Sequence, residues 1–138
     1  MRIKLVAHTP DLEAMVAVSM LTTTSGAQPS TLHERLLANP ERIREVVSRL
    51  EVQHGNVLEH NRLVWLVEAT GDEVLDVMLG TRVLLFTRLE GGRWLMSGNL
   101  RALADYAKQK DTEFASRLVD SVKDAAPTIH ASFRRRTG

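Results

Sequence analysis

The segment Arg62–Thr70, RLVWLVEAT, is the tightest constraint on how this chain folds. In an extended strand its apolar residues fall on both faces, with Leu63, Trp65 and Val67 on one and Val64 and Leu66 on the other. A strand of that pattern is expected to be covered, so other layers must lie against the sheet that holds it.

The remaining segments supply those layers. RIKLVAH alternates Ile3, Leu5 and Ala7 on one face and predicts a short first strand. TPDLEAMVAVSMLTT predicts a helix with Pro10 in its first turn, Asp11 and Glu13 at its positive end, and a stripe of Leu12, Met15 and Val16. SGAQPS, Ser25 to Ser30, reads as a loop, with Ser30 as cap of a short helix through LHERLLAN. Asn39-Pro40 reads as a cap and first helical residue, and Ile43, Val46, Val47 and Leu50 form one face of a helix ending near Gly55. DEVLDVMLGT predicts a helix with Gly80 near its end, and RVLLFTRLEGGRWLMSG a β-hairpin turning at Glu90-Gly91-Gly92. Asn99 caps a helix with Leu100, Leu103, Ala104 and Ala107 inward; Lys108 and Lys110 then suit its negative end. Thr112 caps a last helix with Phe114, Leu118, Val122 and Ala125 inward, ended or kinked by Pro127. The expected class is α+β: one domain over residues 1–138, an antiparallel or mixed sheet with helices packed on it.

Composition closes several functional classes. With 43% hydrophobic and 25% charged residues the chain should fold, and a net charge of +1 gives no global basic field for nucleic acid. The Arg134–Arg136 run reads as a frayed, solvated tail. The absence of cysteine removes disulfides, thiolate nucleophiles and cysteine-based zinc sites, and fits a cytoplasmic protein. No segment is long and apolar enough for a membrane span, and no signal-peptide core opens the chain. Aromatic residues at 4% argue against base-stacking platforms.

Two polar stretches are candidate sites. HGNVLEHN, His54 to Asn61, carries two histidines without helical i, i+4 spacing, and His8, His33 and His130 are scattered, so a metal lacks convergent ligands. No nucleophile elbow accompanies a His–carboxylate pair. Alone, the stretch reads best as a helix end with Gly55 left-handed and His54 near the last carbonyls. SGNLR, Ser97 to Arg101, offers either an anion site, with free helix N–H groups and the Arg101 fork, or an ordinary N-cap beside a surface arginine.

Taken in order, these segments resemble the flavin-dependent thymidylate synthase family. QHGNVLEHNRLVWLVEA is similar to that family's GH-x-S/T-x-x-EH followed by a strand, and RWLMSGNLRALADYAKQK to its strand, N-x-R and helix. TPDLEAMVAVSMLTT and FASRLVDSVKDAAPTIHASF match its first and closing helices. The resemblance implies a homotetramer that binds FAD between subunits and uses NADPH and methylene-tetrahydrofolate to methylate dUMP to dTMP. It implies flavin contacts for His54, for Asn56 in a Ser/Thr position, for Asn99 and Arg101, and for Asp105 in an Asn position. It places Lys110 where an arginine contacts and polarises the pyrimidine.

The departures concern the substrate side. The signature R-H-R-x(7)-S is missing, and in MLGTRVLLFTRL only Arg82 remains as a substrate-binding counterpart. The serine-rich segment that follows the signature has no equivalent, a short hairpin stands in place of a long insertion, and Met20 replaces an arginine. Lysine at position 110 is a point charge and cannot pair bidentately with a pyrimidine edge. Two expectations follow. One is a shortened relative that keeps FAD or nucleotide binding and oligomerises. The other is a non-catalytic binding or assembly module, its vacated site closed by the hairpin Arg82–Gly98 and its interface made by Val83, Leu84, Leu85 and Phe86.

Overall fold

Four strands, β1 (Arg2–His8), β2 (Leu63–Glu68), β3 (Leu85–Arg88) and β4 (Arg93–Gly98), form one antiparallel sheet in the order β1-β2-β4-β3. The computed structural model describes residues 1–22, 25–50 and 56–137, without the side chains of residues 136 and 137. Seven helices occur among the described residues: α1 (Leu12–Thr22), α2 (Pro29–Leu37), α3 (Pro40–Val47), α4 (Gly71–Gly80), α5 (Leu100–Gln109), α6 (Glu113–Asp120) and α7 (Pro127–Thr137). The class is α+β, and the sheet is wholly antiparallel.

The register explains which face is buried. Leu5 pairs with Trp65, Trp65 with Met96, and Met96 with Phe86, so one row of side chains crosses all four strands. Leu63, Trp65, Val67 and Met96 on this face are fully buried and join the core built with α1, α5, α6 and α7. The other face corrects the expectation of a strand covered on both sides. There Leu66 is only half-buried, while Leu95 and Leu85 are 38% and 56% exposed. Val64 and Leu66 are shielded beside their cross-strand neighbours Ser97 and Leu95.

Local departures have local causes. A bulge between Leu5 and Ala7 inverts the alternation of β1, so Ala7 pairs with Val64 on the outer face instead of following Leu5 inward. Pro10 lies in the turn before α1, not in its first turn, and Asp11 takes φ 54 there, a left-handed conformation that aspartate tolerates better than most residues. α1 is buried on several sides: Ala14, Ala17 and Val18 are in the interior with Leu12 and Val16, because α2 and α3 pack on it as well. α2 starts one residue before the expected cap: Gln28 occupies the N-cap and Pro29 the first helical position. Asn39 caps α3 by accepting from the Arg42 amide at 3.2 Å, and α3 stops at Val47, with Leu50 buried beyond it. The expected end near Gly55 lies outside the described residues.

The hairpin turns where expected. Gly91 and Gly92 have φ 71 and 72, and the Leu89 amide donates to the Arg93 carbonyl at 2.9 Å. The closing helix is two helices. α6 ends at Asp120, a turn follows, and Pro127 begins α7 rather than ending a helix. Arg134 is no part of a frayed tail: its Nε donates to Asp120 at 2.9 Å and its Nη2 to the Ser116 carbonyl at 2.9 Å. Among the described residues no helix is long and apolar enough to cross a membrane.

Candidate ligand-binding site

Asn99 sits where β4 hands over to α5, so its side chain is fixed by a change of backbone direction. Its Oδ1 accepts from the Ala102 amide at 2.8 Å, which makes it the N-cap. The Leu100 amide donates to Asn61 Oδ1 at 2.9 Å. Two of the first three amides of α5 are therefore committed to protein side chains, and the helix start does not present a full cradle of free N–H groups to an anion.

Asn61 belongs to the segment that enters β2. Residues 56–58 form one tight helical turn, anchored by buried Val57 and Leu58, with Asn56 exposed on it. The Glu59 amide donates to the Asn56 carbonyl at 3.2 Å, and Asn61 Nδ2 to the Leu58 carbonyl at 2.8 Å. Asn99 Nδ2 reaches the Glu59 carbonyl at 3.5 Å, and Arg101 Nη1 donates to Glu59 Oε1. Arg101 Nε also lies 3.7 Å from Asp105 Oδ2, one helical turn on. The fold thus gathers Glu59 and Asn61 against Asn99, Arg101 and Asp105, with Asn56 exposed on the turn that precedes Glu59. His54 lies outside the described residues.

Arg101 stands between two carboxylates, and all three side chains are 42–50% exposed. The cluster carries one positive and two negative groups, so its own field is slightly acidic. The unused face of the Arg101 fork and the carboxylate oxygens present charged donors and acceptors side by side, next to an Asn99 amide that also reaches the Glu59 carbonyl.

Asp105 also lines a pocket of about 320 Å³ with Gly80, Thr81, Arg82, Tyr106 and Gln109. Arg82 is exposed at this pocket. Lys110 follows the last turn of α5 and runs across the end of α4: a Cβ on Gly80 would meet Lys110 Cε at 2.9 Å and Nζ at 3.6 Å. Tyr106 forms a buried wall, edge-on to Phe114 with ring centroids 5.9 Å apart. Burial pushes its phenol pKa up, the Asp76 charge adds to this, and a hydrogen bond with Thr112 acts the other way. Tyr106 is therefore a neutral phenol at this pocket. Sequence reasoning missed Glu59, Asn61 and Tyr106 as parts of the arrangement. The bond from Asn61 spans 39 residues, a separation at which no local pattern signals contact.

No family model and no curated protein matches the chain. Solved structures do. One is the flavin-dependent thymidylate synthase ThyX from Helicobacter pylori, complexed with FAD and dUMP. It matches with a TM-score of 0.56 and 11% identity over 91% of this chain and 96% of that chain. A second structure of ThyX from Helicobacter pylori with FAD and dUMP gives 0.54 and 11% over 88% and 93%. The chain has a ThyX-like fold. At this identity the likeness is one of architecture, and the chemistry has to be argued from the side chains present.

The Asn99–Arg101–Asp105–Glu59 set offers hydrogen-bond donors and acceptors beside a small excess of negative charge, which suits neutral polar groups such as an amide edge or hydroxyls. It does not fit a pyrophosphate at the same spot, since Arg101 is already shared by two carboxylates. Among the described residues no group of three or more His, Asp or Glu is placed to hold a metal ion.

Proposed function

We propose that residues 1–138 form a single ThyX-like domain that binds a flavin, FAD by resemblance, or a related nucleotide along α5. The carrying observation is the joining of Asn56–Asn61 to Asn99–Asp105 by bonds between segments some forty residues apart. On this reading Asn99, Arg101, Asp105, Asn56 and His54 contact the flavin. Arg82, on the pocket beside Asp105 and Tyr106, and Lys110, which lies against the end of α4, face a nucleotide substrate. The flavin supplies the redox chemistry when bound. The protein's residues orient it, and Arg101 does so with a guanidinium pre-set by Glu59 and Asp105. NADPH and methylene-tetrahydrofolate enter as cosubstrates if the family reaction on dUMP is retained. The reading places the protein in the cytoplasm as a homo-oligomer, a tetramer if it assembles as that family does.

The test is the visible spectrum of FAD on titration with the protein. Saturable binding is expected, and Arg101→Ala should weaken it about tenfold, the loss of one charge-assisted hydrogen bond. Asn99→Ala should weaken it too, and should also cost about 1 kcal/mol of stability through the lost cap. No binding at high FAD would sink the reading. Oxidation of the reduced flavin that depends on dUMP then decides whether the family reaction survives.

A second reading, a non-catalytic assembly module, is favoured by one observation. Leu75, Met78 and Leu79 on one side of α4 are 52%, 49% and 79% exposed, and Val83 and Leu85 just beyond are 54% and 56% exposed. Of the four hairpin residues expected at an interface, Leu84 is buried and Phe86 half-buried, so only Val83 and Leu85 remain available. If this patch joins copies, Leu79→Asp combined with Leu85→Asp should convert the oligomer to a monomer in sedimentation. An unchanged mass would reject the patch as the interface.

A further inference from the structure

A larger cavity, about 600 Å³, lies between α5, α6 and α7, on a different face of α5 from Asp105 and Tyr106. Its size is that of a small-molecule site. Three alanines, Ala104, Ala107 and Ala115, leave the space open, and Val119 and Phe133 supply a buried apolar floor. The rim is basic. Lys108 and Lys110 line it, and among the described residues neither is held in an ion pair.

Arg134 completes the rim with a fixed guanidinium. Its Nε and Nη2 are tied to Asp120 and Ser116, while its Nη1 takes part in no hydrogen bond among the described residues. Asp120 offsets the charge of Arg134. The lysines then face one carboxylate on the lining, that of Asp111, which leaves an excess of a single positive charge. An apolar floor beneath a rim of that balance complements a molecule with an apolar body and one negative charge.

We propose that this cavity binds a small amphipathic monoanion, an apolar chain or ring carrying one carboxylate. The apolar part lies on Val119 and Phe133, and the carboxylate is held at the rim by Lys108 and Arg134. The site shares Lys110 with the nucleotide reading but not Lys108, Val119, Phe133 or Arg134, so changes at those residues test it apart from flavin binding.

Decanoate, kept below its micelle-forming concentration, is the probe, and decanol is its neutral counterpart. Backbone amide NMR shifts of the full chain report where each binds. Saturable shifts are expected around residues 104–119 and 133–134, with decanol weaker by about tenfold. Ala107→Trp fills the space and should weaken decanoate by about tenfold. Lys108→Gln changes an exposed side chain, so it keeps the test decisive even if Ala107→Trp fails to fold; about threefold weakening is expected. Absence of saturable shifts would overturn the proposal. So would equal affinity for decanol, shifts centred on Leu75–Leu85, or an unchanged affinity in Lys108→Gln.

Discussion

Trp65→Ala is expected to lower the unfolding free energy by about 3–5 kcal/mol, a large share of the ~5–15 kcal/mol that a domain of this size has to lose. Trp65 is 0% exposed and lies in the row that crosses the sheet, with Leu5 and Met96 as cross-strand neighbours. Removing the indole leaves a cavity that rigid strands on either side cannot close. A second loss adds to it. Trp65 Nε1 donates to Ser121 Oγ at 2.8 Å, and Ser121 Oγ donates to the Leu118 carbonyl at 2.6 Å, so the indole ties β2 to the end of α6. Trp65→Phe separates the two terms. It keeps most of the volume and loses the hydrogen bond, and should cost roughly 1–2 kcal/mol beyond its smaller packing loss. Urea unfolding followed by far-ultraviolet circular dichroism measures both. A midpoint for Trp65→Ala equal to that of the wild type would mean that the sheet's inner row is not the stabilising core.

What the sequence discloses about this fold is what is decided within a few residues. Asn39, Asn99 and Thr112 each cap a helix by accepting from an amide three residues on, and each is legible from its neighbours alone. The Gly91-Gly92 turn is legible for the same reason. Proline is ambiguous at that range. Pro127 signals a break in one helix or the start of another, and its role follows from contacts made far away in the chain. The bulge in β1 leaves no local mark either, and it alone decides that Ala7 faces outward. At the candidate site, Asn99 and Arg101 are visible as a helix start. The charge state of their surroundings is not, because Glu59, 42 residues from Arg101, is what neutralises it. An arginine read as an anion receptor becomes, once its partners are placed, an arginine held between acids.

Glu13 is the other long-range contact with a large consequence. In the sequence it complements the positive end of its own helix. In the structure it also serves a second helix: Oε1 accepts from the Thr128 amide at 2.6 Å and from the Ile129 amide at 3.1 Å. Pro127 has no N–H, so these are the first two amides of α7 that need an acceptor, and a carboxylate there also meets the positive end of the helix dipole. Glu13→Ala is expected to cost about 1.5–3 kcal/mol, since it removes a charged acceptor from two partly buried donors. Glu13→Gln keeps an acceptor oxygen without the charge and should cost about half as much. Hydrogen exchange distinguishes this from a general loss of stability. Protection should fall first at Thr128 and Ile129 in Glu13→Ala, ahead of the amides in β2. Unchanged protection at those two amides would mean that the start of α7 is held by its buried Ile129, Ser132 and Phe133 side chains and not by the carboxylate.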